Sequence, residues 1–158
     1  MIPDYKSNAV YMSVWLERDY NEVYTALIKI FKKHRIAYGI IPATKDVWCR
    51  DYMPLQLDAD RYLCYTYRPD YLLKKSCDSK YITDSIEVSK YMGINVKKSS
   101  LVIDGGNVVK IGDKAIMTEK VFYENSGVSS KWLKRKIQNH LECEVVFIPW
   151  DKYEIYGH

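Results

Sequence analysis

Residues 101–118, LVIDGGNVVKIGDKAIMT, carry the reading from which the fold follows. Leu101-Val102-Ile103 is a short apolar run of the kind that makes a buried strand. Asp104-Gly105-Gly106-Asn107 comes next, and two glycines after a strand permit positive φ or close approach to the backbone. Residues 108–111 and 115–118 then flank Gly112-Asp113, a hairpin signature.

The same order occurs upstream. Residues 36–42 read as a buried strand, 43–50 as a loop, and 53–57 with 62–67 as a hairpin around Asp58-Ala59-Asp60. Residues 9–16 read as a strand and 19–34 as a helix. Asp19 and Glu22 have capping-box spacing, and Val23, Leu27, Ile30 and Phe31 form one apolar stripe. Residues 84–92 read as a shorter helix with the same spacing at Asp84 and Glu87, stopped by Gly93 and followed by a strand at 94–96. A third helix starts at Ser129 or Ser130 with Leu133, Ile137 and Leu141 on one face, and residues 145–148 form the next strand.

The repeated unit is therefore helix, strand, turn, hairpin. Asp51 and Asp104 each sit just before a hairpin, 53 positions apart, and a further 54 positions reach His158. A period near 50 with one supersecondary unit per repeat predicts a radial or stacked α/β architecture. The expected divisions are one domain over 1–158, with repeats at roughly 1–70, 71–125 and 126–158, the last one incomplete.

Bulk composition excludes several classes. With 158 residues, 47% hydrophobic and 28% charged, the chain has the make-up of one soluble domain. The net charge of +4 comes from scattered Lys without aromatic interleaving, which argues against nucleic acid as a partner. No stretch approaches the length of a membrane span, and no basic segment followed by an apolar one opens the chain. Fifteen Tyr suit strands and wet pockets. Cys49, Cys64, Cys77 and Cys143 include no C-x-x-C pair, so they read as free packing thiols of a reducing cytoplasm. No pair has the spacing of a zinc or redox site.

Three short constellations carry chemistry. Trp48-Cys49-Arg50-Asp51-Tyr52-Met53-Pro54 alone reads as a surface ion pair at a strand entrance, worth about 0–1 kcal/mol. Asp104-Gly105-Gly106-Asn107 alone reads as a tight turn. Gly157-His158 alone reads as a tail. Together they say more, because repeats around an axis bring equivalent positions to one place. Two aspartates and a histidine would then converge. A guanidinium is planar and permanently charged, with five N–H donors in a fork, so carboxylates on two sides can each take a paired set of bonds. A neighbouring His would move protons at neutral pH.

On these residues the sequence resembles the guanidine-modifying superfamily, and most of all the agmatine deiminases and the bacterial, Porphyromonas-type peptidylarginine deiminases. That family has Trp-x-Arg-Asp-x-x-Pro, here residues 48–54. It has an acidic residue before Gly-Gly-Asn, here 104–107, and then Gly-His-x-Asp, begun here by Gly157-His158. The resemblance implies a partial pentein, or α/β-propeller, with about two and a half to three of five ββαβ-type repeats. It also implies a hydrolase of arginine or agmatine metabolism, including putrescine biosynthesis. A Cys thiolate attacks the guanidinium carbon, ammonia leaves, and water hydrolyses the thiouronium intermediate to a ureido product. By the same resemblance Asp51 and Asp104 bind the guanidinium, Trp48 and Asn107 line the pocket, and His158 is the general acid and base. Arg50, Pro54, Gly105, Gly106 and Gly157 are structural members of the motifs.

Two departures bear on substrate and activity. Agmatine deiminases often carry Glu where this chain has Asp104, which sets the carboxylate back by one methylene. The aspartate after His158 and the unit bearing the nucleophilic Cys are absent, and none of the four Cys has the nucleophile's context. The expectation is a guanidino-binding chain that is inactive alone. A non-catalytic binding or interaction fragment, a homodimer through an unfinished sheet edge, and an amidinotransferase-like relative are the alternatives.

Overall fold

The computed structural model describes residues 1–73 and 78–151. Its first unit is β1 (Ala9–Ser13), α1 (Val14–Asp19), α2 (Asn21–His34) and β2 (Ala37–Ile41), with β1 and β2 parallel. A helical turn, α3 (Cys49–Tyr52), leads to β3 (Leu55–Gln56) and β4 (Tyr62–Thr66). Then come α4 (Asp70–Leu73), α5 (Ser85–Tyr91) and β5 (Val96–Val102). The 3-10 turn Gly105–Asn107 opens the last unit: β6 (Val109–Ile111), β7 (Lys114–Thr118), α6 (Lys120–Glu124), α7 (Ser130–Leu141) and β8 (Glu144–Ile148).

The strands form three small sheets, ordered β1-β2, β3-β4-β5 and β6-β7-β8. In the second and third sheets a hairpin is followed by a helix and a strand parallel to the hairpin's second strand. The expected order of elements recurs, but hydrogen bonding joins each hairpin to the strand that follows the next helix, not to the strand before the hairpin. The larger core lies among the second and third sheets and α7, with Leu63, Ile103, Val108, Met117 and Val121 buried beside the helix. Leu133, Ile137 and Leu141, the expected stripe of α7, are fully buried there. Ser129 caps that helix by accepting from the Trp132 N–H. Asp84 caps α5 by accepting from Ile86 and Glu87, and Gly93 at φ 68° ends it in the left-handed region.

The structure differs from expectation in several places. The first strand stops at Ser13, whose hydroxyl accepts from the Trp15 N–H and starts α1. Asp19 therefore ends one helix instead of capping the next, and Tyr20 stands at the start of α2 without a side-chain cap. Of the α2 stripe only Phe31 is buried; Val23 and Ile30 are about half exposed, because the helix packs on a sheet of two strands. Residues 94–96 and 101–103 are not separate strands. The polar run between them belongs to β5, an edge strand, where Lys97, Lys98 and Ser100 can face water. Finally, residues 49–52 form a helical turn, and α6 was hidden by its five-residue length. No helix among the described residues is long and apolar enough to cross a membrane.

Gly105 packs against the Arg50 carbonyl so closely that any Cβ would collide with that backbone oxygen. Gly105→Ala should destabilise the fold by about 1–3 kcal/mol, the range for overpacking against a rigid neighbour. Gly127→Ala, with open space around it, should change stability by less than about 0.5 kcal/mol. Urea midpoints of the two variants check the contrast.

Candidate functional site

The two aspartate motifs are docked on each other. Gly105 sits on the backbone of Arg50, and the Gly106 N–H donates to Asp51 Oδ1 over 3.1 Å. A Cβ at Gly106 would meet that same Asp51 oxygen. The glycine pair is thus needed for close approach, not for positive φ, since neither residue has one. Arg50 locks the arrangement from the other side. Its guanidinium donates to the Val108 carbonyl at 2.8 Å and to both Asp4 oxygens at 3.1 and 3.3 Å. The Asp4 pair is half exposed and contributes about 0–1 kcal/mol; the Val108 bond ties α3 to the entrance of β6. Pro54 and Tyr52 are buried below, the Tyr52 hydroxyl donating to the Asp46 carbonyl at 2.9 Å.

Asp104 lies in an acidic group around one lysine. Lys120 Nζ is 3.4 Å from Asp104 Oδ2, 3.4 Å from Asp70 Oδ1 and 3.2 Å from Glu124 Oε1. The Glu124 side chain is only 4% exposed, and its Oε1 faces the ammonium outside hydrogen-bonding direction. Asp104 Oδ1 is buried and has no hydrogen-bond donor. Asn107 accepts from the Thr118 N–H at 2.8 Å, while its buried Nδ2 has no acceptor. Asn125 closes the floor, accepting from Val102 and donating to the Val102 and Val121 carbonyls.

Burial, and next the charge of Asp104, raises the Asp51 carboxyl above its usual range. Burial raises Asp104 despite the nearby Lys120, and it raises Asp46. Glu124 is pushed up to about 7 by burial and then by the Asp104 charge. For Lys120, burial acts downward, but Glu124, Asp104 and Asp70 outweigh it and hold the ammonium charged. Carboxylates outnumber cations here, so the cluster favours an added positive charge.

The remaining candidates fall elsewhere. Trp48 is 65% exposed on an open groove of 620 Å³ shared with Trp15, Tyr20 and Tyr81. Cys49 bonds to the Tyr52 hydroxyl at 3.2 Å, and burial raises its thiol; burial raises Cys64 too. Cys143 is a free thiol packed against the larger core, just before β8. Cys77, Gly157 and His158 lie outside the described residues. Among the described residues no group of His, Cys, Asp and Glu is placed to hold a metal ion. Sequence reading missed Asp70, Lys120, Glu124 and Asn125. Lys120 and Glu124 at i,i+4 look like any solvated helix pair until the fold buries them.

The architecture has solved counterparts. The C. jejuni agmatine deiminase superposes with a TM-score of 0.68 over 94% of this chain and 55% of that one, at 15% identity. In fold, the chain is similar to the deiminases. A Cys-to-Ser variant of the same enzyme, with substrate bound, gives a TM-score of 0.71 at 15% identity over 94% of this chain and 55% of that one. A candidate peptidyl-arginine deiminase gives 0.66 at 14% identity over 95% and 56%. The chain thus spans about half the length of the deiminase structures it matches. No protein-family model and no curated protein sequence matches it.

The raised carboxyls set a pH dependence. A folded-state value above the unfolded one means that the folded protein holds the extra proton. Glu124, at about 7 against 4.5 unfolded, contributes stability that is present below about pH 4.5 and lost as pH rises through 7. Stability should fall by about 1 kcal/mol or more from pH 5 to pH 8, and Glu124→Gln should flatten that slope. Urea melts across the range measure it.

Proposed function

We propose that this chain binds a guanidinium group between Asp51 and Asp104 as part of a deiminase-type hydrolase site. The observation that carries the reading is the docking of Gly105-Gly106 on Arg50-Asp51, which brings both carboxylates to one half-buried, acid-rich place. The buried, donor-free Asp104 Oδ1 adds to it, because such an acceptor is costly and an N–H-rich cation would satisfy it. Agmatine or a peptidyl-arginine side chain is the substrate class, and Asp104 in place of Glu leaves room for a ligand set deeper by one methylene. In the full reaction a thiolate adds to the guanidinium carbon. The C–N bond then breaks to release ammonia, and water displaces the sulfur to give the ureido product and free thiolate. His158 is the proposed proton carrier, with Asn107 as a pocket wall. The setting is cytoplasmic arginine or agmatine metabolism.

The described thiols favour a binding role for the chain by itself. Cys49 and Cys64 are held as thiols by burial, the opposite of an activated nucleophile. Incubation with agmatine, free arginine and an arginine peptide should therefore yield no ureido product above background, while calorimetry with agmatine should show binding. Asp51→Asn and Asp104→Asn should each weaken that binding by about tenfold or more, because each removes a charged partner. Turnover by the chain alone would overturn the non-catalytic half. Absence of binding, or binding indifferent to both substitutions, would overturn the guanidinium half. Sedimentation would detect pairing through a sheet edge.

A further inference from the structure

The guanidinium reading has no place for Lys120, yet this residue makes more charged contacts than any other side chain near the aspartates. Its ammonium reaches three acids from different parts of the fold: Asp70 of α4, Asp104 after β5, and Glu124 one helical turn along α6. It is 17% exposed, and Glu124 is 4% exposed. A cation so enclosed must be paired, and here the pairing is lopsided in a useful way. Lys120 takes Asp104 by Oδ2 alone. Oδ1 of the same carboxylate is left buried and without a donor.

We propose that Lys120 is a positioning residue of the guanidinium site. Its ammonium clamps Oδ2 of Asp104, fixes the carboxylate plane, and reserves Oδ1 for the N–H donors of the ligand. This rests on the guanidinium reading. The geometry follows from sequence position. Lys120 opens α6 immediately after β7, and Asn107 accepts from the Thr118 N–H at the end of that strand. The helix start, and with it Lys120, is thereby held to the same turn that presents Asp104. Glu124 lies four residues on, on the same helical face, and holds the ammonium from behind. The groups facing this point are Asp70, Asp104, Glu124 and Lys120 itself, with Asp51, Asp46 and Tyr71 within electrostatic reach. Without the lysine, partly buried acids would face each other, and the Asp104 carboxyl, already raised by burial, would rise further.

The test uses the full chain with Lys120→Met, Lys120→Arg and the double variant Lys120→Met/Glu124→Gln, the last removing a buried acid together with the buried cation so that the fold is kept. Agmatine is the probe, followed by calorimetry at pH 7 and pH 9. Lys120→Met and the double variant should bind about tenfold more weakly at pH 7 and recover in part at pH 9, and Lys120→Arg should stay within about threefold of the parent. Binding by Lys120→Met as tight as the parent's overturns the proposal, and tighter binding would make the lysine a competitor for the seat. Carboxyl-carbon NMR of Asp104 gives a ligand-free readout. Its titration should move to higher pH in Lys120→Met and in the double variant. An unmoved titration overturns the proposal whether or not agmatine binds, whereas a moved titration in a protein that does not bind agmatine supports the clamp and refutes the guanidinium reading alone.

Discussion

The contact on which the rest of the molecule depends is backbone against backbone: Gly105-Gly106 laid on Arg50-Asp51. A side chain on either glycine would strike Arg50 or Asp51. Because none is present, two turns that are 53 positions apart close to hydrogen-bond distance. Arg50 reinforces the contact through the Val108 carbonyl. The bond from Gly106 to Asp51 fixes one oxygen of that carboxylate, so the aspartate is oriented by the glycine turn 55 positions further along the chain.

From this contact the electrostatics follow. Bringing the second turn onto the first places Asp104 within reach of Asp51 and half-buries both, and the loss of water is the main reason that both carboxyls rise. The fold answers with Lys120 on Asp104 and with the Gly106 N–H on Asp51. The compensation is partial. Glu124 is pushed up to about 7, and Asp104 keeps a buried oxygen without a donor. Sites held short of full satisfaction are where proteins keep capacity for a ligand. That is the physical content of the guanidinium proposal, and it is independent of the likeness in fold to deiminases.

The two ends of the molecule are built differently. The second and third sheets share a core closed by Leu133, Ile137 and Leu141 of α7. The first sheet has two strands, and its helix α2 leaves Val23 and Ile30 half exposed. Both helices have a clear apolar stripe in the sequence. Only one stripe has a surface deep enough to take it.

Much of this was legible in residue order. Period and punctuation placed α5, α7, both hairpins and the strand before the first of them, since apolar spacing, capping residues and glycine stops act over a few positions. Asp51 and Asp104 were legible as a pair from their matched places before the hairpins. Other features were settled only by tertiary structure. Ser13 starts a helix where alternation predicted more strand, and the polar stretch of β5 is a strand only because an edge tolerates it. Lys120, Glu124 and Asp70 are ordinary surface charges in the sequence. They become a buried cluster because three segments meet behind Asp104, and burial turns a weak exposed pair into a group that shapes the site. Local patterning decides which elements form; which charges lose their water depends on what the folded chain brings to cover them.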